Sequence, residues 1–198
     1  TPTGGGSGSV TPFKTTTVAE GIKAIYNGKS SYIEDAKWLD TLKLEYKASY
    51  YTNKNLDGKP AFVRKEAEIN HEWKENAPAP GLPSDGFSVK WESSFKSEAD
   101  GIIKLMVRGD DGYRVFVNDK EVVSDWTNHA VTEKEACVQV EKGHEYKIRM
   151  EYYDNMRDAT AQLIIQTAKT EKLRHALSKF DNVALCVGFT SNTEGENF

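Results

Sequence analysis

The chain has 198 residues, a charged fraction of 28% and a formal net charge of −4. It carries no basic stripe, so a nucleic-acid partner is not expected, and no apolar run near the ~20 residues of a membrane span. The length suits one large domain or two small ones, enough to bury roughly two-thirds of the unfolded surface.

Thr3 to Val10 reads Thr-Gly-Gly-Gly-Ser-Gly-Ser-Val. It has no lysine for a phosphate loop. Ser9 stands where a dinucleotide fingerprint, or a nucleophile elbow centred on Ser7, needs glycine. The segment reads as a flexible turn at the start of a piece of a longer protein. A helix follows: Thr17 and Glu20 have capping-box spacing, Val18, Ile22, Ile25 and Tyr26 recur at helical spacing, and Gly28 is a natural stop. Lys29 to Glu34 reads as a short strand.

From Leu44 the apolar period becomes two. Leu44, Tyr46, Ala48 and Tyr50 alternate, then Phe87, Val89, Trp91, Ser93 and Phe95. Between these runs, Ala77 to Pro83 is a proline-rich surface loop. Ile103, Leu105 and Val107 lead into Gly109-Asp110-Asp111-Gly112, and Tyr113, Val115 and Val117 lead away. This reads as a β-meander with an acidic corner, its glycines meeting a need for positive φ. Ala136, Val138 and Val140 alternate, as do Tyr146, Ile148, Met150 and Tyr152, and Ala161 to Ile165 is the last run. Spacing of about ten residues between strands argues for an antiparallel sandwich.

After Thr167 the helical period returns at Leu173, Ala176, Leu177 and Phe180, with Thr170 as cap. Val183 to Val187 is continuously apolar, as in a strand covered on both faces of a parallel sheet, and it opens into Thr193-Glu194-Gly195-Glu196. A helix–strand unit at each end thus brackets about 125 all-β residues. The economical account is a β-sandwich inserted into an α/β domain whose two end strands pair in parallel. Ligands of such sheets bind beyond the carboxyl ends of the strands, which places Glu194 and Glu196 at a site edge. The predicted fold is therefore mainly β, with boundaries at 1–40, 41–168 and 169–198 for the first α/β piece, the sandwich and the second α/β piece. Cys137 and Cys186 lie in apolar runs and read as buried free thiols.

Phe87-Ser88-Val89-Lys90-Trp91, the block Val107 to Val117, Asp125-Trp126 and Glu151-Tyr152-Tyr153 together resemble the PA-fourteen domain, a β-sandwich named after a bacterial toxin's protective antigen. The resemblance covers about residues 42 to 168. The flanks are similar to the second, α/β-sandwich domain of family-three glycoside hydrolases: Gly4 to Val10 with Glu20-Gly21-Ile22 at one end, and Val187-Gly188 with Thr193 to Glu196 at the other. Some β-glucosidases of that family carry a PA-fourteen insert at this point.

The resemblance implies a retaining β-glycosidase as parent, with a nucleophilic Asp in a preceding barrel domain and the acid/base on the acidic loop, Glu194 first and Glu196 second. This chain alone, lacking the barrel, is expected to be inactive. In sugar-binding PA-fourteen adhesins, adjacent aspartates joined by a cis peptide bind Ca2+, which makes Asp110 and Asp111 candidates for metal and sugar. The alternative is turn carboxylates satisfied by backbone amides. Trp73 and Trp126, beside loops, are candidates to stack on sugar rings, whereas Trp91 alternates with core positions. His71, His129, His144 and His175 show no metal-ligand spacing. Arg108 and Arg114 flank the acidic turn and are expected to pair with it.

The implied partners are an oligosaccharide or β-glucoside and the parent's barrel; the implied location is extracytoplasmic. No cofactor is required, and Ca2+ is the one candidate ion. Three functions follow: a glycosidase insert that shapes the active-site entrance, a free-standing calcium-dependent carbohydrate-binding module, or a structural insert.

Overall fold

The computed structural model describes residues 17–28, 30–31, 39–168 and 170–184. The chain divides into two units, Trp38–Thr170 and one made of the two flanks, Thr1–Lys37 with Glu171–Phe198. In the flanks, helix α1 (Val18–Ile25) starts on the expected capping box: the Glu20 N–H donates to Thr17 Oγ1 at 3.2 Å, and the Thr17 N–H donates to Glu20 Oε2 at 2.7 Å. Helix α2 spans Thr170–Leu177. Both helices are amphipathic and neither has a buried residue. The strand expected near Tyr32 and Ile33, most of the one expected over 183–187, Cys186, Glu194 and Glu196 all lie outside the described residues.

The larger unit is an antiparallel sandwich. One sheet holds β1 (Leu39–Thr41), β4 (Ile69–Glu72), β6 (Gly101–Asp110), β9 (Thr132–Val140) and β11 (Thr160–Ala168). Its order is β1-β11-β6-β9, with β4 also pairing β11. The other holds β2 (Tyr46–Tyr51), β3 (Phe62–Glu66), β5 (Ser88–Lys96), β7 (Gly112–Val117), β8 (Lys120–Asp125) and β10 (Glu145–Tyr153), in the order β3-β2-β5-β10-β7-β8. The alternating residues form the core between the sheets: Tyr50, Phe87, Val89, Trp91, Leu105, Val115, Met150 and Tyr152 are fully buried. Burial of such side chains is worth ~1.5–3 kcal/mol each and is the main force holding the sheets face to face.

Four readings are corrected. Strands β6 and β7 do not form a hairpin, because β6 lies in the first sheet and β7 in the second, so the chain crosses the sandwich at Asp111. The true hairpin turn is Asn118-Asp119 between β7 and β8, with φ of 49° and 63°, as a type I′ turn requires. Gly109 and Gly112 are not at positive φ. A Cβ on Gly109 would lie 2.4 Å from the Tyr113 ring, and one on Gly112 would lie 2.1 Å from the Tyr153 ring, so close packing and not backbone conformation excludes a side chain. Cys137 is exposed, because Ala136, Val138 and Val140 take the inward positions of β9 and leave Cys137 facing out. Finally, Arg108 and Arg114 do not pair with the acidic corner. They project outward from different sheets, Arg108 to Glu72 at 3.0 Å and Arg114 to Glu151 at 2.7 Å.

Candidate functional site

Several chain segments converge where the strands cross between sheets, and side-chain carboxylates hold them together. Asp110 and Asp111 are joined by a cis peptide bond. Asp111 is buried, and each of its oxygens accepts a backbone N–H: Oδ1 from His129 at 3.1 Å, Oδ2 from Asn155 at 2.7 Å. One carboxylate thus fixes both the β8–β9 loop (126–131) and the β10–β11 loop (154–159). Each oxygen keeps a free lone pair. The Tyr152 hydroxyl donates to the Asp110 carbonyl, and the Tyr153 hydroxyl donates to Asn128 Oδ1 at 2.9 Å.

Asp154 is the unusual member. It is fully buried; its N–H donates to the Phe87 carbonyl and its Oδ2 accepts the Gly86 N–H at 3.2 Å, while Oδ1 has no partner. Burial, reinforced by Asp111, Asp85 and Asp110, pushes its pKa up to about 7. Asp110 is raised as well, first by burial and then by Asp111, against the opposing influence of His129 and of the Val131 N–H. Asp158 adds to the repulsion on Asp110. Five carboxyl groups therefore crowd one end of the sandwich.

The donor set suits a hard cation that seeks oxygen. Carboxylate lone pairs remain free on Asp111, and Asp154 Oδ1 is orphaned. Side chains alone do not complete a shell of ~6–8 oxygens: among the described residues no three His, Cys, Asp or Glu side chains form a metal-ligating group.

The β8–β9 loop is itself anchored by Asp125. Its Oδ1 accepts the Thr127 hydroxyl at 3.1 Å, and its Oδ2 accepts the Thr132 hydroxyl at 3.3 Å and pairs with Lys134 at 3.1 Å. Trp126, half-buried, is packed between the Arg114 guanidinium, 4.2 Å over its ring, and Tyr153, edge-on with centroids 4.8 Å apart. Trp73 is packed against the core: its ring stacks on His71 at 4.6 Å and meets Phe87 edge-on at 5.4 Å. Trp91 is fully buried, as its alternation predicts.

A second polar centre had no signal in the sequence. Buried Glu66 accepts hydrogen bonds from Tyr50 Oη at 2.5 Å, Arg64 Nε at 2.5 Å and Trp91 Nε1 at 2.7 Å, and it bonds His71 Nε2 at 2.8 Å. Burial alone would raise its pKa; the bonds from His71, Tyr50, Trp91 and Arg64 outweigh that and hold it down at about 2. His71 lies between Trp73 and Trp91 in the same stack. The remaining histidines are peripheral: His144 pairs with Glu141 across 3.5 Å, and His175 is exposed on α2.

Comparison with known proteins gives the fold its relatives. The anti-sigma-I factor RsgI3 of Acetivibrio thermocellus is 28% identical over 126 residues, which is 64% of this chain and 19% of that protein. A xylan 1,4-beta-xylosidase of Xylanibacter ruminicola is 23% identical over 94% of this chain and 24% of its own length. The chain thus spans about a fifth to a quarter of these curated relatives. A solved beta-glucosidase from Kluyveromyces marxianus in complex with glucose superposes with a TM-score of 0.53 at 18% identity, over 68% of this chain and 18% of that one. The PA14 domain of the MpAFP antifreeze protein superposes with a TM-score of 0.51 at 15% identity, over 70% of this chain and 87% of its own. Residues 45–175 match the PA14 domain, the PA-fourteen sandwich of the sequence resemblance, and over that span the chain belongs to the PA14 domain family.

Proposed function

We propose that the chain is a PA14 sandwich set into the α/β-sandwich domain of a family-three glycoside hydrolase, where it shapes the active-site entrance and contacts carbohydrate. The carrying observation is a difference in coverage. The xylosidase relative aligns with 94% of this chain, flanks included, whereas the anti-sigma relative aligns with 64%. A free-standing module would need only the sandwich. The division into a sandwich and a unit built from both flanks supports the boundaries 1–40, 41–168 and 169–198.

In this reading the parent is a retaining β-glycosidase acting on a β-glucoside or oligosaccharide outside the cytoplasm, with Glu194 as acid/base, Glu196 as second candidate and the nucleophile on the barrel. The isolated chain turns nothing over. Glu194→Gln in the full-length parent is expected to reduce aryl β-glycoside hydrolysis by ~10²–10⁴-fold, and undiminished turnover would refute the assignment. Excising 41–168 is expected to spare aryl glycosides and alter the preference for longer oligosaccharides; an unaltered preference would leave only a structural role.

A second reading, an ion-dependent carbohydrate-binding corner, is favoured by the unpartnered Asp154 Oδ1. Asp110 and Asp111 would hold Ca2+, which supplies a positive charge to sugar hydroxyls. The chain's own part is to fix those carboxylates through the His129 and Asn155 amides. A melting temperature unmoved by calcium or by chelator would exclude the ion.

A further inference from the structure

The free edges of the two sheets are not alike. Strands β1, β4, β3 and β8, which form three of them, run three, four, five and six residues. β8 also carries Lys120 and Glu121 and a register irregularity in its pairing with β7. Short, charged or bulged strands are the usual protection of a sheet edge. The fourth edge is β9, which runs nine residues, Thr132–Val140, beside β6 alone. Among the described residues its backbone makes no hydrogen bond outside that pairing, so its outer row of N–H and C=O groups has no protein partner. One inward charge, Lys134, guards it, and that charge is engaged at one end of the strand by Asp125 at 3.1 Å and the Ser124 carbonyl at 2.9 Å. Beyond Lys134, β8 and β9 part and leave a groove of about 380 Å³ whose walls include Val117, Val122, Ala136 and Val138.

The residues of β9 specify what fits this edge. Antiparallel pairing with a second copy, nine residues on nine, centres on Ala136. It sets Glu135 against Cys137, Glu133 against Gln139, Lys134 against Val138 and Thr132 against Val140, so no like charges meet. Sliding by two residues sets Glu135 against itself in one direction and Glu133 against Glu141 in the other, and like charges directly opposed are destabilising. Sliding by a single residue turns the inward row outward. We propose that β9 is the interface of a weak two-fold dimer, in which two copies pair edge to edge about Ala136 and join their sheets into one. Such a contact uses the same patch on both copies and closes without propagating. It covers Ala136 and Val138, which one copy alone leaves half-buried. The dimer goes beyond the function proposed above and needs neither the acidic corner nor a carbohydrate.

The test is sedimentation equilibrium of the chain under reducing conditions. A reversible dimer with a Kd between about 1 μM and about 1 mM is expected. Cys137 faces solvent, so replacing it spares the fold. Cys137→Glu meets the partner's Glu135 on both sides of the axis and is expected to weaken the dimer about tenfold, whereas Cys137→Lys meets the same carboxylate and is expected to tighten it. Both variants, when dilute, should melt at the temperature of the wild type. In a Cys137→Ser background, air oxidation should cross-link Ala136→Cys across the axis, and Gln139→Cys, which faces the partner's Glu133, should run as a monomer on a denaturing gel. A chain still monomeric at about 1 mM overturns the proposal. A dimer indifferent to both charge variants, or one that cross-links through Gln139→Cys in place of Ala136→Cys, overturns the edge pairing and its register.

Discussion

Two buried carboxyl groups in one sandwich are driven in opposite directions. Glu66 sits among Tyr50, Arg64, His71 and Trp91 and is held at about 2, while Asp154 receives a single amide from Gly86 and rises to about 7. Both lose hydration on burial; they differ in what replaces it. Glu66 has a donor from each side, including a guanidinium, so its charge is compensated within the fold. Asp154 has three carboxylates nearby and one bare oxygen, so its charge is uncompensated unless something outside the fold supplies a proton or a cation. A satisfied buried carboxylate is a structural centre; an unsatisfied one among acids is a candidate for a site.

The largest effect expected from breaking this contrast is at Glu66. Glu66→Ala strands the Tyr50, Trp91 and Arg64 donors together and should cost ~3–5 kcal/mol in urea unfolding, with the acidic corner's ligand affinity intact in whatever remains folded. The same centre sets the acid limit. A carboxylate whose folded pKa is depressed contributes stability that is present above its unfolded value near ~4.3 and is lost as pH falls toward 2, so melting temperature should drop across that window.

Next comes Gly112→Ala, whose methyl would meet the Tyr153 ring that braces Asn128; overpacking of this kind costs ~1–3 kcal/mol and should loosen the loop over Asp111.

Asp154→Asn should act in the other direction. Because the folded pKa is raised, the wild type loses stability as pH climbs from about 4 to about 7, and the variant does not. The variant should be the more stable protein above pH 7, by roughly 1–2 kcal/mol, with the advantage gone below about pH 5. Greater stability of the wild type at pH 8 without calcium would remove the contrast.

The smallest effect is a control on the outer face of β9: Cys137→Ser should shift stability by less than ~0.5 kcal/mol, and the native thiol should react with a maleimide at once.

The sandwich was legible because period-two burial is a local signal. Tyr46 to Tyr50, Phe87 to Trp91 and Tyr146 to Tyr152 each declare a face without reference to the rest of the chain. Partnership between strands is not local. Gly109-Asp110-Asp111-Gly112 looks like a hairpin turn, and only the sheet order shows the chain leaving one layer for the other there. Strands β3 and β4 are short and flanked by charge, and nothing near Glu66 indicates that Trp91, 25 residues on, would bond to it. The same holds for Asp154: its neighbours Tyr153 and Asn155 are unremarkable, and the acids that raise its pKa come from segments as distant as Asp85. Asp110 and Asp111 stood out because two adjacent acids between glycines are rare enough to notice. Cys137 shows the reverse lapse, since the alternation of Ala136 and Val138 already assigns it to the outer face.

The most direct test of the contrast, and of the site it marks, is a carbon-detected NMR titration of the side-chain carboxyls with and without calcium. In the absence of the ion, Asp154 is expected to titrate near 7 while Glu66 stays ionised to about 2, and calcium should lower the Asp154 midpoint and leave Glu66 unmoved. Midpoints for both groups in the ordinary carboxylate range, or an Asp154 midpoint indifferent to calcium at saturating concentration, would contradict a cation-binding corner on this sandwich.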